Sequence, residues 1–129
     1  MKNNNTNTTT NLFVDLQCEF GGWVSPPFTK RERLKLKIEN MKITNHFRKR
    51  TNERTDYYDC ESLLYDVNLH KESMIPLTTK SPQLRWYPWL KKELRKFPNS
   101  WIMMLECLNL AIITDGLNLI TVYKLNVNY

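Results

Sequence analysis

From Ala111 to Leu125 the chain reads AIITDGLNLITVYKL. An Asp-Gly pair between two β-rich apolar runs is among the strongest short hairpin signals, because both residues tolerate the left-handed backbone of a tight turn. Asp115-Gly116 therefore predicts two paired antiparallel strands, with Leu119, Thr121, Tyr123, Leu125 and Val127 at alternate positions of the second. The first strand has a competitor. Trp101, Leu105, Leu108 and Ile112 also stand at helical spacing, behind Asn99 or Ser100 as a cap. Ile112 and Ile113 are β-branched and prefer strands, so the hairpin is the favoured reading, while part of Trp101–Glu106 stays open to helix. The apolar run WIMMLECLNLAII is broken by Glu106 and Asn109. It falls short of the about 20 apolar residues of a bilayer span and reads as a core segment.

Elsewhere period-two patterns recur. Val14, Leu16, Cys18 and Phe20 alternate with Asp15, Gln17 and Glu19, as in a half-buried strand. Gly21-Gly22 and Pro26-Pro27 break it, and SPPF is either a turn or a proline segment of the kind that WW and SH3 domains read. Leu34, Leu36 and Ile38 resume the alternation, and Met41 and Ile43 continue it in shifted parity, which suggests a bulge near Asn40. These two segments are expected to pair as an antiparallel hairpin with a long loop. TNHFRKRTNERTDYYDCES, residues 44–62, is dense in charge and reads as a loop. Tyr65, Val67 and Leu69 suggest a further strand, and Pro76 and Pro82 bracket an irregular stretch.

Pro88 suits the first turn of a helix, where its missing N–H costs nothing. Leu90, Leu94 and Phe97 then recur at helical spacing, Lys91, Lys92, Arg95 and Lys96 cover the rest of the cylinder, and Pro98 stops it. The expected fold is α+β: a small, mostly antiparallel sheet of about four to five strands with one principal helix near 88–97. Residues 1–11, MKNNNTNTTTN, form a disordered polar tail, and 12–129 a single domain.

The residue inventory points away from an enzyme. Three glycines cannot build a phosphate-cradling loop, and neither a nucleophile elbow nor an HExxH motif occurs. Cys18, Cys60 and Cys107 are far apart, and His46 and His70 stand at no ligand spacing from them, so no structural metal and no cofactor is expected. The cysteines read as reduced thiols of an intracellular chain without a secretory signal.

One stretch carries a resemblance. LFVDLQCEF resembles the first motif of the DEDD exonucleases of the RNase H-like fold, which hold a divalent ion with an Asp and a Glu two apart on the first strand. Gln17 stands at the second acidic position, and Glu19 lies one pleat further along the face of Asp15. The resemblance implies a metal-dependent nuclease relying on Asp15 and Glu19. Alternation alone accounts for the same residues as the wet face of one strand.

Net charge is +6, and a basic balance favours anionic partners. Cations cluster at Lys30–Lys37, Arg48–Arg54 and Lys91–Lys96. Trp86, Tyr87 and Trp89 adjoin the last cluster, and aromatics interleaved with cations suit single-stranded nucleic acid, where bases stack and phosphates pair. The leading expectation is a small non-enzymatic binding protein, of the accessory kind found in viruses and mobile elements. Arg48, Lys49, Arg50, Lys91, Lys92, Arg95 and Lys96 would contact phosphates of a nucleic acid, and Trp86, Tyr87 and Trp89 would stack. Nucleic acid is favoured over a membrane surface. A protein–protein adaptor using Trp86 and Trp89 is the alternative. Arg48-Lys49-Arg50, with Lys30-Arg31 upstream, also has the look of a nuclear import signal.

Overall fold

The computed structural model describes residues 24–126, and one sheet organises them. Its strands are β1 (Lys42–Ile43), β2 (Ile75–Leu77), β3 (Trp101–Leu105), β4 (Leu110–Thr114) and β5 (Asn118–Lys124), in the order β1-β5-β4-β3-β2. β2 to β5 pair antiparallel, and β1 joins β5 in parallel, Lys42 opposite Asn118 and Ile43 opposite Leu119. The helices are α1 (Lys30–Lys35), α2 (Asn45–Arg54), α3 (Cys60–Leu69) and α4 (Pro88–Leu94). The expected α+β class and mostly antiparallel sheet are what the structure shows.

Both faces of the sheet are covered. Phe47 of α2 and Cys60, Leu63 and Val67 of α3 pack with Trp101, Met103, Leu110, Ile112 and Val122 on one face. Leu84, together with Leu90 and Leu94 of α4, packs with Ile102, Met104, Ala111 and Ile113 on the other. Burial on both faces removes polar residues from alternate positions. That is why β3 and β4 read as continuous apolar runs and why helix and strand compete there in the sequence. The structure decides for strand throughout 101–105, with Glu106–Leu108 as a short 3-10 turn.

The Asp115-Gly116 hairpin is present. Asp115 Oδ1 accepts from the amides of Leu117 and Asn118, at 2.9 and 2.7 Å. Gly116 has φ +91°, and a Cβ there would stand 2.5 Å from Val24 Cβ and 2.9 Å from its carbonyl oxygen. Val24 is held in place by its own amide, which donates to Asp115 O at 2.7 Å, and by Trp101 Nε1, which donates to Val24 O at 2.8 Å. Beyond the turn, Ile113 faces Thr121 while Thr114 faces Leu119, so Ile120 is bulged.

Three expectations are corrected. The segment 34–43 is not one strand: α1 ends at Lys35, Ile38–Asn40 is a 3-10 turn, and only Lys42 and Ile43 join the sheet. A capping box decides the start, since Thr29 accepts from the amide of Glu32, whose carboxylate accepts from the amide of Thr29. The loop at 44–62 is instead α2, a short connection and the start of α3. Thr44 caps α2 by accepting from the amide of Phe47 at 3.0 Å, and its hydroxyl donates to Leu119 O at 2.8 Å, tying the cap to β5. The strand placed at Tyr65–Leu69 is the second half of α3, which Asp59 caps by accepting from the amide of Ser62 at 2.8 Å.

The helix expected near 88–97 starts at Pro88, and hydrogen-bonded turns carry it on to Phe97, but among the described residues it is one of four and shorter than α2 and α3 rather than the principal one. Pro76 lies inside β2, where the order of the sheet puts it on an edge strand that tolerates proline. The polar tail 1–11, the strand expected at 14–20 and its residues Asp15 and Glu19 lie outside the described residues.

Candidate functional site

Of the three cationic clusters, those at Arg48–Arg54 and Lys91–Lys96 lie on opposite faces of the sheet and have different neighbours. On α2, Arg48 reaches Glu61 of α3 at 3.3 Å, Lys49 lies 4.0 Å from Glu53, and Arg50 pairs with Glu53 as well. Arg50 Nε is buried without a hydrogen-bond partner. The hydrogen bonds to Arg48 hold the Glu61 carboxyl below its usual range, and the bond to Arg50 does the same for Glu53. Residues 45–73 bring five cations, Arg48, Lys49, Arg50, Arg54 and Lys71, against six acids, Glu53, Asp56, Asp59, Glu61, Asp66 and Glu72.

The α4 layer is different. Residues 78–100 carry six cations, Lys80, Arg85, Lys91, Lys92, Arg95 and Lys96, and one acid, Glu93. Arg85, Lys92, Arg95 and Lys96 are exposed and Lys91 is half-buried. Among the described residues no carboxylate lies within ion-pair distance of Arg85, Lys91, Lys92 or Arg95, while Lys96 is 2.7 Å from Glu93.

Glu93 faces inward as much as outward. Tyr123 of β5 donates its hydroxyl to Glu93 Oε1 at 2.6 Å. Burial pushes the Glu93 carboxyl up, but the bonds from Lys96 and Tyr123 outweigh it and hold the group below its usual value. Burial and the Glu93 bond push the Tyr123 phenol up to about 12. Arg54, at the end of α2, passes the edge of β5. It donates to Val122 O at 3.1 Å and sets its guanidinium 4.3 Å from the centre of the Tyr123 ring. Trp89 meets the same ring edge-on, with centroids 5.3 Å apart. This cluster joins α2, β5 and α4, and it occupies the one carboxylate that α4 has.

The three aromatics divide accordingly. Tyr87 and Trp89 are half-buried against the apolar cluster under α4. Trp86 is 71% exposed, and Arg85 lies over its ring at 5.1 Å from the centroid. The structure thus brings Trp86, Lys91, Lys92, Arg95 and Lys96 onto one layer. It leaves Arg48, Lys49 and Arg50 on the other, and turns much of Tyr87 and Trp89 toward the core. Arg85 belongs with the first group and escaped the sequence reading, although its place next to Trp86 signalled it. Glu93 and Tyr123 were invisible as a pair, being 30 residues apart in the chain.

Among the described residues no group of three or more His, Cys, Asp or Glu side chains is placed to hold a metal ion. His46 is exposed on α2, and its imidazole is held below the usual value by burial and then by Arg50, Arg54 and Lys49. His70 Nδ1 is 2.8 Å from Asp66 O at the end of α3. Among the described residues no helix is long and apolar enough to cross a membrane. No family model, curated protein or solved structure matches the chain.

Proposed function

We propose that the protein is a non-enzymatic binding protein that docks single-stranded nucleic acid on its α4 layer. Trp86 carries this reading: a large indole left in solvent, with a guanidinium across it, on a layer where, among the described residues, Arg85, Lys91, Lys92 and Arg95 have no carboxylate within ion-pair distance. Lys92, Arg95 and Lys96 contact phosphates and release their counterions. Trp86 offers a face on which a base stacks, a contact that tolerates any base. Lys91 and Arg85 extend the cationic track. Arg48, Lys49 and Arg50 contribute at most long-range attraction, since each stands beside a carboxylate on the opposite face. Nothing among the described residues adds to the nuclease reading. An adaptor reading draws on the same exposed indole, and salt separates it from nucleic-acid binding.

Fluorescence anisotropy with labelled single-stranded and duplex oligonucleotides tests the proposal. With about four phosphates neutralised, log K should fall with log salt at a slope of roughly −3 on single strands. Trp86→Ala should weaken single-strand binding by about tenfold or more. No binding at low salt, or indifference to Trp86→Ala, overturns it. A salt-insensitive interaction with a protein that is lost with Trp86→Ala would install the adaptor reading.

A further inference from the structure

The outward stripe of α3 is built differently from a solvated helix face. Tyr65 is 67% exposed, Leu69, one turn on, is 61% exposed, and Tyr58, just before the helix, is 91% exposed. Tyr65 and Glu61 stand on a ridge between two open depressions. One, of about 330 Å³, is floored by Ile43 and Leu64 and rimmed by Glu39. The other, of about 530 Å³, is lined by Asp59 and Asp66. Apolar surface is thus laid between four carboxylates, on a chain whose net charge is +6.

We propose that this face docks a lysine- and arginine-rich peptide segment of a partner protein, with one apolar side chain of that segment seated in the smaller depression. Charge complementarity selects the occupant. Glu39, Asp59, Glu61 and Asp66 line the two depressions, and Arg48 is the cation that pairs with them, through Glu61 at 3.3 Å. That pair is solvent-exposed and therefore weak, so an incoming guanidinium can replace Arg48 at little cost. Asp66 already accepts from Tyr57 Oη at 2.9 Å through one oxygen, and the bond orients its carboxylate. The exposed Tyr65 ring offers a face on which an arginine stacks. Ile43 and Leu64 give an aliphatic anchor a dry seat.

Selection from a random peptide display library on the immobilised full chain tests the proposal. The overall charge of the protein repels basic peptides, so a basic consensus can arise only from a locally acidic surface. The expected consensus is Lys and Arg around one aromatic or aliphatic residue. A labelled peptide of that consensus should bind in solution, lose about tenfold or more with Tyr65→Ser and lose severalfold with Glu61→Gln. It should be indifferent to Trp86→Ala, which separates this face from the α4 layer. Both α3 side chains are exposed, and unchanged melting curves will show that the variants fold. An acidic or uncharged consensus, no enrichment, or binding unaffected by Tyr65→Ser overturns the proposal. So does concentration-dependent self-association abolished by Tyr65→Ser, which would make the occupant a second copy.

Discussion

The two layers that flank the sheet contain the same kinds of residue and use them oppositely. On α2 and α3, Arg48, Lys49 and Arg50 each find a carboxylate, Glu61 or Glu53. On α4 the single acid, Glu93, is drawn toward Tyr123 and Lys96, and among the described residues Lys91, Lys92 and Arg95 have no carboxylate within ion-pair distance. A run of basic residues in a sequence therefore says little until its counter-charges are placed. The cluster RKR and the cluster KKELRK look equally suited to an anion. Of the two, among the described residues, only the second has cations without a carboxylate within ion-pair distance, because it sets Lys91, Lys92, Arg95 and Lys96 against the single carboxylate of Glu93.

Four experiments test this contrast. The largest effect is on stability. Phe47 is the one large apolar side chain that α2 buries, so Phe47→Ala should cost about 3–5 kcal/mol in urea unfolding. A much smaller cost would mean that α2 is not held against β5 as described. The second compares equal charge changes on the two layers. Lys92→Ala/Arg95→Ala should reduce single-strand affinity by about tenfold or more and flatten the salt slope by about 1.4, at roughly 0.7 per phosphate contact. Arg48→Ala/Lys49→Ala should change affinity by less than about threefold, since these cations lie on the face of the sheet opposite Trp86 and act on a strand bound there only at long range. Equal losses would erase the distinction between the layers.

The third experiment removes the one acid of the α4 layer. Glu93→Gln deletes a charge from the layer and weakens the bond to Tyr123. Affinity for single strands should rise by about twofold to threefold, while stability falls by about 1 kcal/mol. The smallest effect is spectroscopic. Burial and a carboxylate partner push both Tyr57 and Tyr123 up to about 12. An absorbance titration should therefore show a late phase near pH 12 that Tyr57→Phe and Tyr123→Phe each reduce. The signs of the linkage follow. A raised folded value for Tyr123 means that its contribution is full below about pH 10 and is lost as pH rises through about 12. The lowered value for Glu93 means that its contribution is present above about pH 4.3 and is lost as pH falls through the folded value.

What the sequence disclosed followed from how one-sided each element is. Asp115-Gly116 announced its hairpin because turn chemistry is local, and Pro88 announced α4 for the same reason. α2 stayed hidden because it buries only Phe47 and Thr51, and a buried threonine does not register as an apolar position. α3 was mistaken for a strand because Tyr65, Val67 and Leu69 alternate. The informative set was Cys60, Leu63 and Val67, at helical spacing, while Tyr65 and Leu69 face solvent. For α1, the Thr29–Glu32 capping box outweighed the alternation of Leu34, Leu36 and Ile38. Of the site, the α4 cations and Trp86 were legible. That Arg48, Lys49 and Arg50 are matched by acids, and that Glu93 is held by Tyr123, depends on contacts between elements that no local pattern encodes.

The parallel seam between β1 and β5 has a kinetic consequence. Thr44, which caps α2, bonds to the carbonyls of Leu119 and Ile120, 75 and 76 residues later. An early helix, α2, thus rests on the latest described strand. Closing so large a loop comes before any reward from the contacts it makes, and pairings of high contact order form slowly. During synthesis β1 and α2 must wait with Ile43 and Phe47 uncovered by β5 until residues 118–124 have emerged. The β3–β4–β5 meander, whose pairings are short-range, is the natural nucleus onto which they then fold.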